Sequence, residues 1–213
     1  MSDNDHHPDG IAKRDSLTPL NACVHAALEH GVGLAQAFFE GRQLDPWLFA
    51  HIVRYGVLEH LPDAIVNVDD YGVTRNAMCG VEIHADGCSI RIWKKPRAED
   101  EYLQPPGESE VRQSFYWQQI PLPFAVEQQL PQPDNLAYVW EALPSGTMNL
   151  FLVKPSGIEG IWKPGLFEWA VPVPHPAELV TVGTDFLEGD EDEDLDIDLP
   201  NAGSGGGEPN GGA

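Results

Sequence analysis

The sequence predicts an α+β domain: an N-terminal αα-hairpin packed on an antiparallel β-sheet of about six or seven strands, with a disordered acidic C-terminal tail. Three observations predict it. Apolar residues recur at helical spacing up to residue 61. From residue 64 the period changes to alternation, the mark of half-buried strands. The 19 Pro and 21 Gly fall mainly outside these segments, where they argue for turns and against an all-helical chain. On this reading residues 1–16 are a loose polar start, 17–182 one domain, and 183–213 an acidic and then Gly-rich tail.

The first helix is expected over about 18–40. Thr18-Pro19 offers a hydroxyl N-cap followed by Pro at the first helical position. Leu20, Val24, Ala27, Leu28, Leu34, Ala35 and Phe38 then share the helical period, and Gly41 is a stop. Gly31 and Gly33 each weaken the middle by roughly 1 kcal/mol relative to Ala, and one of them is expected to allow a close helix contact. Asp45-Pro46 starts a second helix, about 45–61, which carries Leu48, Phe49, Ile52, Val53 and Tyr55 and closes at Pro62. The short connection makes the pair antiparallel. A helix-turn-helix reading is disfavoured because the second helix holds Asp45, Arg54 and Glu59 and no basic cluster.

The clearest strand pair is VEIHADGCSIRIW. Asp86-Gly87 suits a two-residue type I′ turn, which needs positive φ at both positions. That turn sets Ala85 opposite Cys88, Ile83 opposite Ile90 and Val81 opposite Ile92 on one face. Glu82 and Arg91 then pair on the other face beside His84 and Ser89. Cys79 comes opposite Lys94, too far from Cys88 for a disulfide. Residues 97–111 read as a polar loop long enough to be mobile or functional. QSFYWQQI, NLAYVWEAL, MNLFLVK, GIWK and LFEWAV read as further strands. PLPF, LPQPDN and VPVPHP read as extended connections, since Pro lacks a ladder donor.

Charge limits the function classes. The chain carries 34 acids and 12 Lys or Arg, a net −22: −2 in residues 1–16, −10 in 17–182 and −10 in 183–213. An acidic domain does not gain affinity for nucleic acid by counterion release, and anionic membranes are disfavoured likewise. No apolar run is long enough to span a bilayer, and MSDNDHHPDG lacks the regions of a signal peptide. Three cysteines, Cys23, Cys79 and Cys88, with no CxxC, suit a reduced cytoplasmic protein.

No catalytic or cofactor motif stands out. His25 and His30 lie about 140° apart on a helix, and His51 and His60 about 180° apart, so neither pair forms a metal site and solvated or capping roles are expected. No GxSxG, Walker loop or GxGxxG is present, and no cofactor is expected. If the chain is an enzyme after all, Glu82, His84 and Arg91 on the polar hairpin face are the first suspects.

Two features point toward a partner. Aromatic residues are dense in the second half, and Tyr116, Trp117, Trp140, Trp162 and Trp169 are candidates for a protein-binding sheet face. In the tail, Asp194, Asp196 and Asp198 interleave with Leu195, Ile197 and Leu199, a pattern that suits docking onto a basic, apolar groove, although an acidic run more often serves solubility alone. This run also resembles the acidic, apolar-tipped tails of single-stranded-DNA-binding proteins, except that 13 residues follow Pro200. QLDPWLF resembles the short peptides that dock on bacterial sliding clamps, but those bind extended and Asp45-Pro46 reads as a helix cap. Within residues 113–176, the run QSFYWQQ, NLAYVWEAL and EWAVPVPHP resembles the end of small uncharacterised proteins of actinobacterial genomes and mobile elements, which implies an accessory or regulatory setting. The expectation is a non-enzymatic, cytoplasmic interaction protein whose protein partner is basic where the tail contacts it. A nucleic-acid mimic and an enzyme with an unfamiliar site are the alternatives.

Overall fold

Three helices precede and cover a sheet, and a fourth lies on its other side. The computed structural model describes residues 7–66, 71–76, 80–98, 101–118, 134–143 and 147–178. The helices are α1 (Pro8–Ser16), α2 (Thr18–Phe39), α3 (Pro46–Ile65) and α4 (Glu110–Tyr116). The strands are β1 (Gly72–Asn76), β2 (Gly80–Ala85), β3 (Cys88–Lys94), β4 (Asp134–Ala142), β5 (Met148–Ile158) and β6 (Gly165–Pro172). They form one six-stranded sheet in chain order. The α+β class and the helical hairpin stand as expected. The acidic tail, Cys79 and most of the Pro-rich segment before β4 lie outside the described residues.

Local chemistry explains where the elements depart from expectation. Residues 8–16, expected to be loose, form α1. Pro8 opens the helix, and Gly10 lets it lie flat on β6, where a Cβ would stand 2.8 Å from Val171 and 3.0 Å from Trp169. Lys13 ties α1 to the hairpin turn through Asp86 at 2.8 Å. Thr18 is not the cap of α2; the fully buried Leu17 holds that place. Pro19 has no N–H for the Asp15 carbonyl, and the Thr18 hydroxyl donates to it instead at 2.7 Å. Asp45 does cap α3, accepting from the N–H groups of Trp47 and Leu48. Pro62 does not end α3; the helix runs on to Ile65, which with Leu61 is buried against the sheet side of the core. Strands accordingly start at Gly72, not at residue 64.

The sheet is mixed, not antiparallel throughout. β3 and β4 run parallel, with Ile90 opposite Leu136 and Lys94 opposite Trp140. Parallel neighbours need a crossover, and residues 95–133 supply it. That crossover explains the largest misreading: residues 113–116, the start of the presumed strand QSFYWQQI, are the second half of α4, which Ser109 caps. The DG hairpin forms in the expected register, with φ of 48° at Asp86 and 69° at Gly87. Further on, GIWK is not a strand; β5 continues past Pro155 with a register shift, and Trp162 sits in the turn before β6.

Alternation then sorts the side chains into two cores. Ile83, Ile90, Leu136, Tyr138, Leu152 and Val171 face α2 and α3. Ala137, Val139, Val153 and Ala170 face the other way, under Leu103, Phe115 and Tyr116. Leu103 bridges to Gly165, so the middle of the 97–111 loop is a buried part of this second layer. The α2–α3 seam is the tightest contact in the fold: Gly31 and Gly56 face each other, and a Cβ on Gly56 would stand 2.6 Å from the Gly31 backbone.

A cationic cleft between α3 and α4

The aromatic candidates do not form one exposed face. Tyr116, Trp140 and Trp169 are 0%, 4% and 3% exposed, because α1, α3 and α4 cover both sides of the sheet. Trp117 and Trp162 are exposed but engaged separately, Trp117 over Gly157 and Trp162 near Gly107. Asp194, Leu195, Asp196, Ile197, Asp198 and Leu199 lie outside the described residues.

The polar hairpin face is occupied from within. Arg91 pairs with Glu82 at 3.2 Å, Ser89 donates to the same carboxylate at 2.6 Å, and the Arg91 guanidinium lies 4.4 Å from the Phe115 ring centre. His84 stays exposed on the same strand. His25 corrects the expectation of solvated helix histidines. It is 2% exposed, its Nε2 donates to the Val173 carbonyl at 3.2 Å, and its ring meets His175 edge-on. Burial lowers its pKa from the ordinary histidine value. Among the described residues no group of three potential ligands is placed to hold a metal.

A different site emerges where β3 ends and β2 begins. A cleft of about 420 Å³ opens there between α3 and α4. From α3 it takes Trp47, Ala50, His51 and Arg54, the i, i+3, i+4 and i+7 positions of one face. The end of β3 adds Trp93 and Lys94, and the crossover adds Gln104, Arg112 and Tyr116. Three of the chain's 12 Lys and Arg thus converge on one opening, and no described Asp or Glu lines it. That grouping of cations contrasts with the chain's net charge of −22.

Each lining group is held by its neighbours. Trp47 is 68% exposed at the rim, with its ring centre 4.0 Å from that of His51. The Lys94 ammonium lies 5.9 Å from the Phe49 ring centre and 5.8 Å from that of Trp140. No described carboxylate pairs with it. Burial, and then the nearby Arg97, lower its pKa from the ordinary lysine value, so the charged form lacks compensation. Arg112 donates to the Pro105 carbonyl at 3.3 Å, which fixes one side of its fork. Gln104 donates to the Lys94 carbonyl at 3.0 Å and its own carbonyl accepts from Tyr116 at 2.6 Å. Tyr116 meets Trp93 edge-on at 5.4 Å, and burial raises its pKa well above the ordinary phenol value.

Of the candidate protein-binding residues expected from the sequence, only Tyr116 lines this cleft. Trp47, His51 and Arg54 carried a readable signal in their shared helix face. Lys94 and Arg112 carried none, because the crossover that brings them together joins segments far apart in the chain. Comparisons with protein-family models, curated proteins and solved structures find no match to this chain.

Proposed function

We propose that the chain is an interaction protein without chemistry of its own, which captures an acidic, apolar-dotted segment of a protein partner in the α3–α4 cleft. The observation that carries this reading is the convergence of Arg54, Lys94 and Arg112 around an opening lined by no described carboxylate. Carboxylates of a bound segment would restore the interaction that desolvated Lys94 lacks, and Arg112 offers a guanidinium suited to bidentate contact. Trp47, Trp93 and Ala50 give apolar side chains a place beside those charges. The volume suits a few residues of an extended peptide, within the roughly 300–1,000 Å³ of ordinary ligand pockets. The residues first suspected of catalysis from the sequence, Glu82 and Arg91, pair with each other and do not line the cleft. Among the described residues no helix is long and apolar enough to cross a membrane; a reducing cytoplasm, where Cys23 and Cys88 remain thiols, is the setting this reading assigns.

Fluorescence anisotropy with a labelled Asp-Leu-Asp-Ile-Asp-Leu peptide tests the reading against its Asn-Leu-Asn-Ile-Asn-Leu analogue. The acidic peptide is expected to bind at least tenfold more tightly, to weaken steeply with salt, and to lose that preference in Arg112→Ala. Equal binding of the two peptides, or no effect of Arg112→Ala, would reject it.

A further inference from the structure

Among the lysines of the chain, Lys94 is the one placed to react. We infer that the Lys94 amine is a modification site for an acyl phosphate, and that its acylation closes the α3–α4 cleft to acidic segments. The modification stands on the lysine's own surroundings; its effect on binding rests on the peptide-capturing reading given above and adds a regulation to it.

Three observations support it. The first is pairing. The chain has five lysines. Lys13, Lys95, Lys154 and Lys163 meet the carboxylates of Asp86, Glu141, Glu168 and Glu159 at 2.8, 4.0, 3.1 and 3.1 Å. A neighbouring carboxylate favours the protonated ammonium, which has no electron pair to offer. Lys94 meets no described carboxylate. Its amine lies instead 5.9 Å from the Phe49 ring centre and 5.8 Å from that of Trp140.

The second observation is solvation. Burial lowers the pKa of Lys94, and Arg97 lowers it further. Both enlarge the fraction of neutral amine, the form that attacks a carbonyl. Lys13 is the contrast within the molecule. Burial opposes its charge as well, but hydrogen bonds with Asp86 and Cys88 outweigh burial and its pKa is raised.

The third observation is access. Lys94 lines an opening of about 420 Å³, which leaves room for an acyl group. Arg112 lines the same opening, anchored on one side at the Pro105 carbonyl, and its guanidinium suits the phosphate of the donor. The step is an acyl transfer. The amine's electron pair attacks the carbonyl carbon and a C–N bond forms. The bond from that carbon to the phosphate oxygen breaks, and phosphate leaves with the electron pair and takes up the proton that the nitrogen loses. The product is a neutral amide. It removes one cation from the lining and puts an acyl group where side chains of a bound segment would sit.

The test treats the native full-length protein with acetyl phosphate at neutral pH. Each lysine is followed by mass spectrometry, with fragmentation that separates Lys94 from Lys95. Lys94 is expected to be acetylated at least tenfold faster than each of the other four, and urea should remove that advantage. The acetylated protein should bind the Asp-Leu-Asp-Ile-Asp-Leu peptide at least tenfold more weakly than the untreated protein. Lys94→Arg, which keeps the charge without the reactive amine, should bind it equally before and after treatment. Acetylation of Lys94 no faster than that of the paired lysines, or an advantage that persists in urea, would overturn the modification site. Preferential acetylation that leaves the affinity of an acid-selective protein unchanged would overturn the regulation. If the untreated protein does not prefer the acidic peptide to its Asn analogue, the capture reading falls and the regulation with it, while the acetylation rates still decide the modification site.

Discussion

The two sides of α3 make opposite uses of one helix. Toward α2, Gly56 meets Gly31 so closely that neither position has room for a methyl group. Toward the end of β3, Trp47, His51 and Arg54 stand back from the sheet and leave an open cleft. The seam excludes everything, including water, and contributes to stability. The cleft leaves a cation and an aromatic ring without full burial, which costs stability and makes binding possible. Affinity for a partner and rigidity of the scaffold are thus separated by half a turn of helix.

The sharpest way to break the comparison is to fill the seam. A Cβ at Gly31 falls against the Val53 carbonyl, a backbone group that cannot move aside. Gly31→Ala is expected to destabilise by on the order of 2 kcal/mol, the overpacking cost less the helix-propensity gain of alanine. Gly33 is the control two residues away, where a Cβ meets nothing within 4 Å. Gly33→Ala should therefore stabilise by about 0.5–1 kcal/mol. Urea denaturation of the two variants reads both signs, and a loss at both positions would mean the seam is not where α2 is constrained.

The cleft side predicts the reverse trade. Lys94→Met keeps the stem that packs over Phe49 and Trp140 and removes a charge that burial disfavours. Stability should hold or rise by up to about 1 kcal/mol, while the acidic peptide loses at least tenfold in affinity. Trp47→Ala, at a residue 68% exposed, should change stability by less than about 0.5 kcal/mol and also weaken the peptide. A Lys94→Met protein that is destabilised yet binds normally would make Lys94 a structural residue.

Legibility in the sequence follows the range of the interactions. The DG turn, the Glu82–Arg91 pair and the Asp45 cap are set by neighbours within about ten residues, and each was readable. The α2–α3 hairpin was readable too, down to the possibility that one of its glycines makes a close contact. FYW was not readable as a helix end, because aromatic residues favour strands and the parallel β3–β4 pairing that demands a crossover appears in no local pattern. The buried state of Tyr116 and the assembly of Lys94 with Arg112 follow from that same crossover, so one topological fact hid both the failure of the aromatic face and the position of the cleft.

The smallest expected effect compares the two desolvated bases. His25 lies on the closed side, between α2 and the segment after β6, and Lys94 lies at the open cleft. Burial lowers the pKa of both. For His25, the Val173 carbonyl, Glu29 and Glu178 oppose that shift and His175 adds to it, with burial the largest influence. The sign follows from proton counting. Below the ordinary value of 6.5 the unfolded chain holds a proton on His25 that the folded chain does not, until the lowered folded pKa is reached. Stability from this group is therefore complete above pH 6.5 and declines as pH falls through that window. His25→Gln retains a donor for the Val173 carbonyl and should flatten this part of the stability–pH curve while leaving the peptide affinity of the cleft unchanged. Urea midpoints between pH 5 and pH 8 measure it. An unaltered slope would place the acid sensitivity elsewhere in the molecule.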